Sequence, residues 1–116
     1  MPRVVHFEIY GEHPRHLINF YEQVFDWKFE KWGPLDYWVI KTGDGPGIDG
    51  GLGTQKNPSI NTIDVPDVDA YLEKITRHGG TVISPKMTLP GIGYLAYFKD
   101  PQGNVFGIMK DDSTAK

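Results

Sequence analysis

The first strand-like segment of the chain alternates between apolar and polar residues. Residues 3–10 read RVVHFEIY, and successive side chains of a strand point to opposite faces of a sheet. Val5, Phe7 and Ile9 therefore share one face. The other face carries His6, Glu8 and Tyr10. A histidine and a carboxylate two residues apart make this face a candidate for metal or acid–base chemistry, although solvated strand faces often have the same composition.

Two segments have the spacing of amphipathic helices. In HPRHLINFYEQVFDW, Pro14 suits the first helical position, and apolar residues recur at helical intervals. That stripe comprises Leu17, Tyr21, Val24 and Phe25. In DVDAYLEKITRHGG, Asp67 is a good N-cap residue, and Gly79-Gly80 is predicted to end the helix. The buried face of this second helix is predicted to comprise Val68, Leu72 and Ile75.

Strand-like runs flank both helices and give the chain an internal repeat. They are predicted near 3–10, 27–32, 36–42, 50–54, 59–65, 80–84, 93–99 and 104–110. The order is strand, helix and three strands, twice over, which predicts an α+β fold with two modules. Module one covers about 3–55 and module two about 59–110, within a single domain of residues 1–116. Each sheet would be covered by a helix on one face, and the free faces, paired side by side, would line a common concavity.

The composition limits the classes of protein to which the chain can belong. Its 116 residues suit one domain, and contents of 39% hydrophobic and 13% aromatic residues are typical of a globular core. A net charge of −3 without a basic run argues against nucleic-acid binding. The absence of cysteine excludes disulfides and cysteine-bound metals. Because neither a signal-peptide pattern nor a membrane-spanning apolar run is visible, we expect a cytoplasmic protein that binds no membrane.

Common catalytic and cofactor motifs are missing or out of context. The segment 45–50 matches the dinucleotide pattern G-x-G-x-x-G, but that pattern functions only where a helix follows and points its amides at a pyrophosphate. Here more glycine and then Pro58 follow, so we predict a flexible loop. No nucleophile elbow, Walker lysine, EF-hand loop or H-E-x-x-H sequence occurs. The indication of chemistry is therefore His6 with Glu8 and the residues that share their face.

Three segments together resemble the vicinal oxygen chelate superfamily, which includes glyoxalase I, extradiol dioxygenases and bleomycin resistance proteins. They are HFEI…NFYEQVFDWKFE, DVDAYLEKITRHGGTVISP and GYLAYFKDPQGNVFGIM. The resemblance extends from about Val4 to Met109. It implies two βαβββ modules that form an open, cup-shaped mixed β-sheet barrel. It also implies that the helix-facing side of the first strand is the apolar one, and that His6, Glu8 and Tyr10 face the cup.

The resemblance also locates the metal ligands of those members that are metalloenzymes. They are His or Glu residues on the first and last strand of each module. The matching positions here are His6, Gly50 or Gly51, Ile60 and Gly107. Since catalytic metals normally keep about three protein ligands, we expect no metal and no other cofactor. An altered site would use Glu8 and Asp64 with His6, because both carboxylates keep the correct strand parity.

These observations leave three functional hypotheses. The first is a metal-free glyoxalase-like protein that binds a small organic molecule, with aromatic compounds among the candidates. Its predicted ligand contacts are His6, Glu8, Tyr10, Thr62, Asp64, Val105 and Met109. The second is an enzyme, a lyase, isomerase or dioxygenase, with His6 and Glu8 as the candidate catalytic residues. In it His6 either acts as a general base or binds a divalent metal together with Glu8 and Asp64. The third is an interaction module without ligand chemistry. We expect a homodimer, and the pattern does not identify the ligand.

Overall fold

The computed structural model describes residues 2–116 and contains eight strands and two helices in the predicted order. The elements are β1 (Arg3–Tyr10), α1 (Pro14–Phe25), β2 (Lys28–Lys31), β3 (Tyr37–Lys41), β4 (Asp49–Gly53), β5 (Ile60–Asp64), α2 (Val68–Arg77), β6 (Thr81–Leu89), β7 (Gly93–Lys99) and β8 (Val105–Asp111). The α+β class and the repeated βαβββ order are therefore confirmed. Neither helix is long and apolar enough to cross a membrane, as far as residues 2–116 are concerned.

Contacts between residues divide the chain into two compact units. The N-terminal unit is His6–Ile60, and the C-terminal unit is Asn61–Lys116 together with the residues up to Val5. In the N-terminal unit the strand order is β2-β3-β4-β1, with β1 parallel to β4 and the other neighbours antiparallel. The C-terminal unit repeats this arrangement as β6-β7-β8-β5, with β5 parallel to β8.

The core of the N-terminal unit lies between α1 and one face of its sheet. Its buried residues are Ile18, Trp38, Ile40 and Leu52, and Phe7, Ile9 and Leu17 pack against them. The predicted apolar stripe of α1 is only partly right, because Val24 and Phe25 are each 55% exposed. Val5 is 46% exposed as well, so only Phe7 and Ile9 represent the apolar side of β1 in this core. Ile18, absent from the predicted stripe, is the buried residue of the helix.

The C-terminal unit buries the predicted face of α2 against its own sheet. Val68 is 3% exposed, and Leu72 and Ile75 pack against the same cluster. Oδ1 of Asp67 accepts a hydrogen bond of 3.0 Å from the amide of Ala70, which confirms the predicted N-cap. Strand β6 continues to Leu89, beyond its predicted end, because it pairs with β7 through two register shifts. Shifted pairing of this kind cannot be recognised from hydrophobic alternation.

The glycine-rich segment forms a loop between β3 and β4, as predicted, and no helix follows it. The loop is attached at its base, where the amide of Thr42 donates a 2.9 Å hydrogen bond to Oδ1 of Asp49. The Thr42 hydroxyl also donates to the carbonyl of Ile48 at 2.6 Å. Gly45 has a φ of 83°, a conformation that favours glycine. These contacts make the segment a tethered connection, and the helix N-terminus that a pyrophosphate site requires is absent from it.

Candidate functional site

The sheet face opposite α1 in the N-terminal unit carries the polar residues of β1. Phe7 and Ile9 contact the core, so the alternation of the strand places His6, Glu8 and Tyr10 on the other face. The His6 side chain is 34% exposed and that of Glu8 is 14% exposed. Glu8 is therefore a largely buried carboxylate on a sheet face that also retains access to solvent, and such groups are uncommon unless they are paired.

Glu8 is the centre of a hydrogen-bonded group of three side chains. Nε2 of His6 donates to Oε1 of Glu8 at 2.9 Å, and the hydroxyl of Tyr37 donates to the same oxygen at 2.8 Å. The contact with His6 fixes the imidazole, since the nitrogen that donates to the carboxylate must carry a proton. The neutral imidazole then has Nδ1 as its unprotonated nitrogen, which is the atom that accepts a proton in general-base chemistry.

The second oxygen of Glu8 lacks a donor. Oε2 is buried and accepts no hydrogen bond, the one such side-chain atom found among residues 2–116. Buried polar atoms are normally hydrogen-bonded, and an unpartnered one in a native fold often indicates a functional role. Leaving it without a donor costs about 1 to 3 kcal/mol. The Glu8 carboxylate therefore has one oxygen that is free to accept a hydrogen bond. This arrangement does not stabilise the fold, so folding alone does not explain it.

Gly51 of β4 provides the space into which Tyr37 and Glu8 extend. Strand register places Gly51 beside Glu8 on one side and beside Val39 on the other. A Cβ atom at Gly51 would collide with the Tyr37 hydroxyl and would lie 2.8 Å from Oε2 of Glu8. The absence of a side chain at this position is therefore what allows the phenol to reach the carboxylate.

A row of aromatic residues adjoins the carboxylate on the same face. Register pairs Tyr37 with Gly53 and Gly53 with Tyr10, and a Cβ atom at Gly53 would lie 3.0 Å from two atoms of the Tyr10 ring. Trp32 follows β2 directly and donates its amide to the carbonyl of Tyr37 at 2.9 Å. The Trp32 and Tyr37 rings are 5.8 Å apart between centroids, and Trp32 is 48% exposed. We call Tyr10, Trp32 and Tyr37 the aromatic row.

On the other side of Glu8, the same face ends in a structural ion pair. Nζ of Lys41 lies 3.7 Å from Oδ2 of Asp49, and register places Asp49 beside His6. The pKa of Asp49 is lowered, chiefly because its carboxylate accepts the backbone amide of Thr42. The Asp49 carboxylate is therefore already bound to the loop and to Lys41. In the ion pairs and hydrogen bonds described, by contrast, Glu8 contacts only the imidazole of His6 and the hydroxyl of Tyr37.

The remaining predicted site residues belong to the C-terminal unit. Register places Thr62 beside Gly107 and Asp64 beside Met109, and the alternation of β8 puts Val105 on the face of Gly107 and Met109. Thr62 is only 3% exposed, so little of it is available to a ligand. Asp64 lines an open groove of about 730 Å³ that belongs to this unit. The other lining residues are Pro2, Val65, Pro66, Tyr71, Lys110 and Asp111.

The structure also assigns faces to four large side chains whose orientation strand alternation alone does not fix, Trp38, Tyr94, Tyr97 and Met87. Trp38 is buried at 7% exposure in the N-terminal core, and Tyr94 packs against the C-terminal core. Tyr97 lies on the Gly107 face, since a Cβ atom at Gly107 would be 3.1 Å from its ring. Met87 shares that face through its pairing with Leu95, which in turn pairs with Met109.

Sequence reasoning missed Tyr37 and Trp32. Trp32 ends the predicted strand 27–32 and Tyr37 lies in the predicted strand 36–42, and neither was among the predicted site residues. The alternation of β3 offered a signal, because the burial of Trp38 and Ile40 on one face sends Tyr37 and Val39 to the other. The contact with Glu8 was not predictable, since it depends on the pairing of β3 with β4.

The positions that the resemblance assigns to metal ligands lack the donor atoms that a divalent metal requires. Of the four predicted positions, which are His6, Gly50 or Gly51, Ile60 and Gly107, only His6 has a side-chain donor atom. The space above Gly51 is taken by the Tyr37 hydroxyl. Across residues 2–116, no three or more His, Cys, Asp or Glu side chains are grouped so as to hold a metal ion. These residues do not fit a catalytic metal with three protein ligands.

The chain shares its fold with proteins of known structure. A glyoxalase/bleomycin resistance protein/dioxygenase superfamily member from Vibrio splendidus 12B01 superposes with a TM-score of 0.70 and 16% identity, over 96% of this chain and 100% of that one. A methylmalonyl-CoA epimerase in complex with methylmalonyl-CoA and NH4+ superposes with a TM-score of 0.65 and 16% identity, over 100% and 99% of the two chains. At these identities the similarity concerns the fold alone.

Sequence similarity identifies the family. The protein named "Putative glyoxylase CFP32" of Mycobacterium tuberculosis is 30% identical over 111 residues, which cover 89% of this chain. The chain spans 42% of the length of that relative. The family model of the Glyoxalase/Bleomycin resistance protein/Dioxygenase superfamily matches residues 3–108. Together with the repeated βαβββ units, this match establishes that the chain belongs to the Glyoxalase/Bleomycin resistance protein/Dioxygenase superfamily.

Proposed function

We propose that the chain is a metal-independent binding protein for a small organic molecule. The molecule would bind on the sheet face of the N-terminal unit that carries Glu8 and the aromatic row. The main support for this proposal is the carboxylate of Glu8. Its Oε1 accepts two hydrogen bonds, whereas its buried Oε2 accepts none. An apolar surface with a few converging polar groups is the usual composition of a small-molecule site.

The lack of metal donors supports the metal-independent part of the proposal. A metal bound by one imidazole would be weak, and the nearest carboxylate, Glu8, already accepts the Nε2 proton of His6. That hydrogen bond competes with coordination by the same nitrogen, since only an unprotonated imidazole nitrogen binds a metal. Two further statements stay predictions. One is that the chain is a homodimer, and the other is that the ligand also contacts Thr62, Asp64, Val105 and Met109.

Two measurements test this proposal. Thermal-shift and calorimetric screening of aromatic and heterocyclic compounds should yield ligands whose binding is weakened in the Glu8→Gln variant. Elemental analysis of protein purified without chelator should find no stoichiometric transition metal. A screen without any ligand, or a stoichiometric metal that is lost in the His6→Ala variant, would contradict the proposal.

One observation favours a second function, general acid–base catalysis. The 2.9 Å hydrogen bond to Glu8 orients His6 and leaves Nδ1 as its unprotonated nitrogen, and the ring is 34% exposed. An imidazole held in this way presents an unprotonated nitrogen that can act as a general base. This hypothesis covers isomerase and lyase chemistry that requires no bound metal. Catalytic turnover of a ligand from the screen, abolished in His6→Ala but with binding retained, would establish it.

A further inference from the structure

We propose that the ligand of the Glu8 site is an organic ammonium compound, in which a protonated N–H group binds Glu8 and an attached apolar or aromatic group packs against the aromatic row. This inference rests on the proposed function and specifies the chemical class of its ligand. It follows from the charge of Glu8, from its unpartnered oxygen and from the aromatic rings beside it.

The charge on Glu8 is the first part of the argument. Oε1 of Glu8 accepts hydrogen bonds from the imidazole of His6 and the hydroxyl of Tyr37, and neither is a permanent cation. The nearby Lys41 is paired with Asp49, at 3.7 Å. A largely buried carboxylate without a lysine or arginine partner attracts a cation more strongly than an exposed one does, because the surrounding medium is less polar.

The unpartnered oxygen is the second part. Oε2 is an acceptor without a donor, so a ligand that donates an N–H group gains a hydrogen bond that the free protein does not make. A hydrogen bond to a charged acceptor is stronger than one between neutral groups. Oε2 of Glu8 and the Tyr37 hydroxyl both border the space above Gly51, and this hydroxyl is the far end of a rotatable side chain.

The aromatic row is the third part. The negative faces of aromatic rings attract cations within about 6 Å of the ring centroid, and organic ammonium ligands are commonly recognised in this way. Tyr37 joins both features, because its hydroxyl contacts Glu8 while its ring lies 5.8 Å from that of Trp32. A neutral aromatic ligand would use the rings alone, and an anionic one would be repelled by Glu8.

Four probes that share one benzyl or phenyl group separate these contributions. They are benzylamine, benzyltrimethylammonium, benzyl alcohol and benzoate, measured by isothermal titration calorimetry at pH 7. We expect benzylamine to bind about tenfold more tightly than benzyl alcohol, and benzoate to bind most weakly. Benzyltrimethylammonium carries the charge without an N–H group, so it should bind less tightly than benzylamine and more tightly than benzyl alcohol.

Variants then assign the binding to this site. Glu8→Gln should abolish the preference for benzylamine, because the amide oxygen can still accept from Tyr37 and His6 but the charge is gone. Glu30→Gln is the matched control, since register places Glu30 beside Val39, about three strand spacings or 14 Å from Glu8. It should retain the preference. Trp32→Ala, a change at an exposed position, should weaken both cations several-fold and provides a test that is independent of the folding of the Glu8 variant.

The possible results distinguish this inference from the proposed function. If benzyl alcohol or benzoate binds as tightly as benzylamine, or if Glu8→Gln keeps the preference, the ammonium inference is overturned. The proposed function stands in that case if the binding still depends on Trp32. If none of the four probes binds, the ammonium inference is also overturned, and the proposed function then fails only if the wider screen yields no ligand.

Discussion

The hydroxyl of Tyr37 donates a hydrogen bond of 2.8 Å to Oε1 of Glu8, across β4 and over the backbone of Gly51. The two residues are 29 positions apart, and the contact joins β1 to β3 on the sheet face opposite the helix. It fixes a charged side chain and an aromatic ring next to each other, while the second carboxylate oxygen remains without a donor. The contact therefore holds the Glu8 carboxylate and the aromatic row in one site.

A methyl group at Gly51 should break this contact. In the Gly51→Ala variant the new Cβ would occupy the position of the Tyr37 hydroxyl, so the phenol must move and its hydrogen bond to Glu8 is lost. We expect the free energy of unfolding to fall by about 1 to 3 kcal/mol. Chemical denaturation of Gly51→Ala, Tyr37→Ala and the double variant measures the effect and its dependence on Tyr37.

The double variant should be more stable than the sum of the single changes predicts, with a coupling energy of about 0.5 to 3 kcal/mol. Gly50→Ala is the contrasting change. Its Cβ would lie 2.6 Å from the backbone oxygen of Phe7, which cannot rotate away, so Tyr37→Ala should not relieve it. Additive effects of Gly51→Ala and Tyr37→Ala would contradict the proposed role of Gly51.

Truncation of Leu52 should destabilise the N-terminal unit strongly. Leu52 is 0% exposed and packs in the cluster with Ile40 and Trp38. Leu52→Ala removes buried apolar contacts and leaves a cavity, for which we expect a loss of about 2 to 5 kcal/mol in urea denaturation. Val24→Ala is the control, because Val24 is 55% exposed, and it should change stability by about 0.5 kcal/mol or less. Similar losses for both variants would show that the core is assigned incorrectly.

Removal of the cap on α2 should destabilise the C-terminal unit. Oδ1 of Asp67 accepts the amide of Ala70, and Asp67→Ala leaves that amide without its partner. We expect a loss of about 1 kcal/mol in thermal or chemical unfolding, and Asp67→Ser should recover most of it, since serine is also a good N-cap residue. Equal stability of the alanine and serine variants would argue against the cap.

The turn between β7 and β8 should contribute to stability in a pH-dependent manner. The side-chain amide of Asn104 and backbone amides in the turn donate to Asp100, which lowers the pKa of its carboxyl group. A carboxyl group with a lowered pKa in the folded state stabilises the fold above its unfolded pKa of about 3.9. The contribution is lost as the pH falls through the lowered value.

The thermal unfolding temperature of the wild type should therefore fall more between pH 5 and pH 2 than that of Asp100→Asn. Asn104→Ala should raise the pKa of Asp100 towards its ordinary range, because it removes the largest cause of the shift. Carboxyl titration by NMR measures that change directly. Identical acid dependence of the wild type and Asp100→Asn would exclude a contribution from this group.

The order of elements and the orientation of β1 could be predicted because both are encoded locally. Alternation along residues 3–10 assigns His6 and Glu8 to one face, and Asp67 marks the start of α2 through its own side chain. The stripe of α1 was predicted less well. Helical spacing shows which residues share one side of the helix, but the neighbouring sheet determines which of them are buried. Val24 and Phe25 lie on the predicted side and are nevertheless exposed.

The arrangement around Glu8 depends on strand pairing, and no local pattern reports it. Glu8, Gly51 and Tyr37 come from three strands, and their contact requires the parallel register of β1 with β4 and the antiparallel register of β3 with β4. A shift of one residue in either pairing would send Tyr37 or Gly51 to the other face. The residues that can carry charge and hydrogen bonds are therefore readable along the chain, whereas their assembly into one site follows from long-range hydrogen bonds between strands.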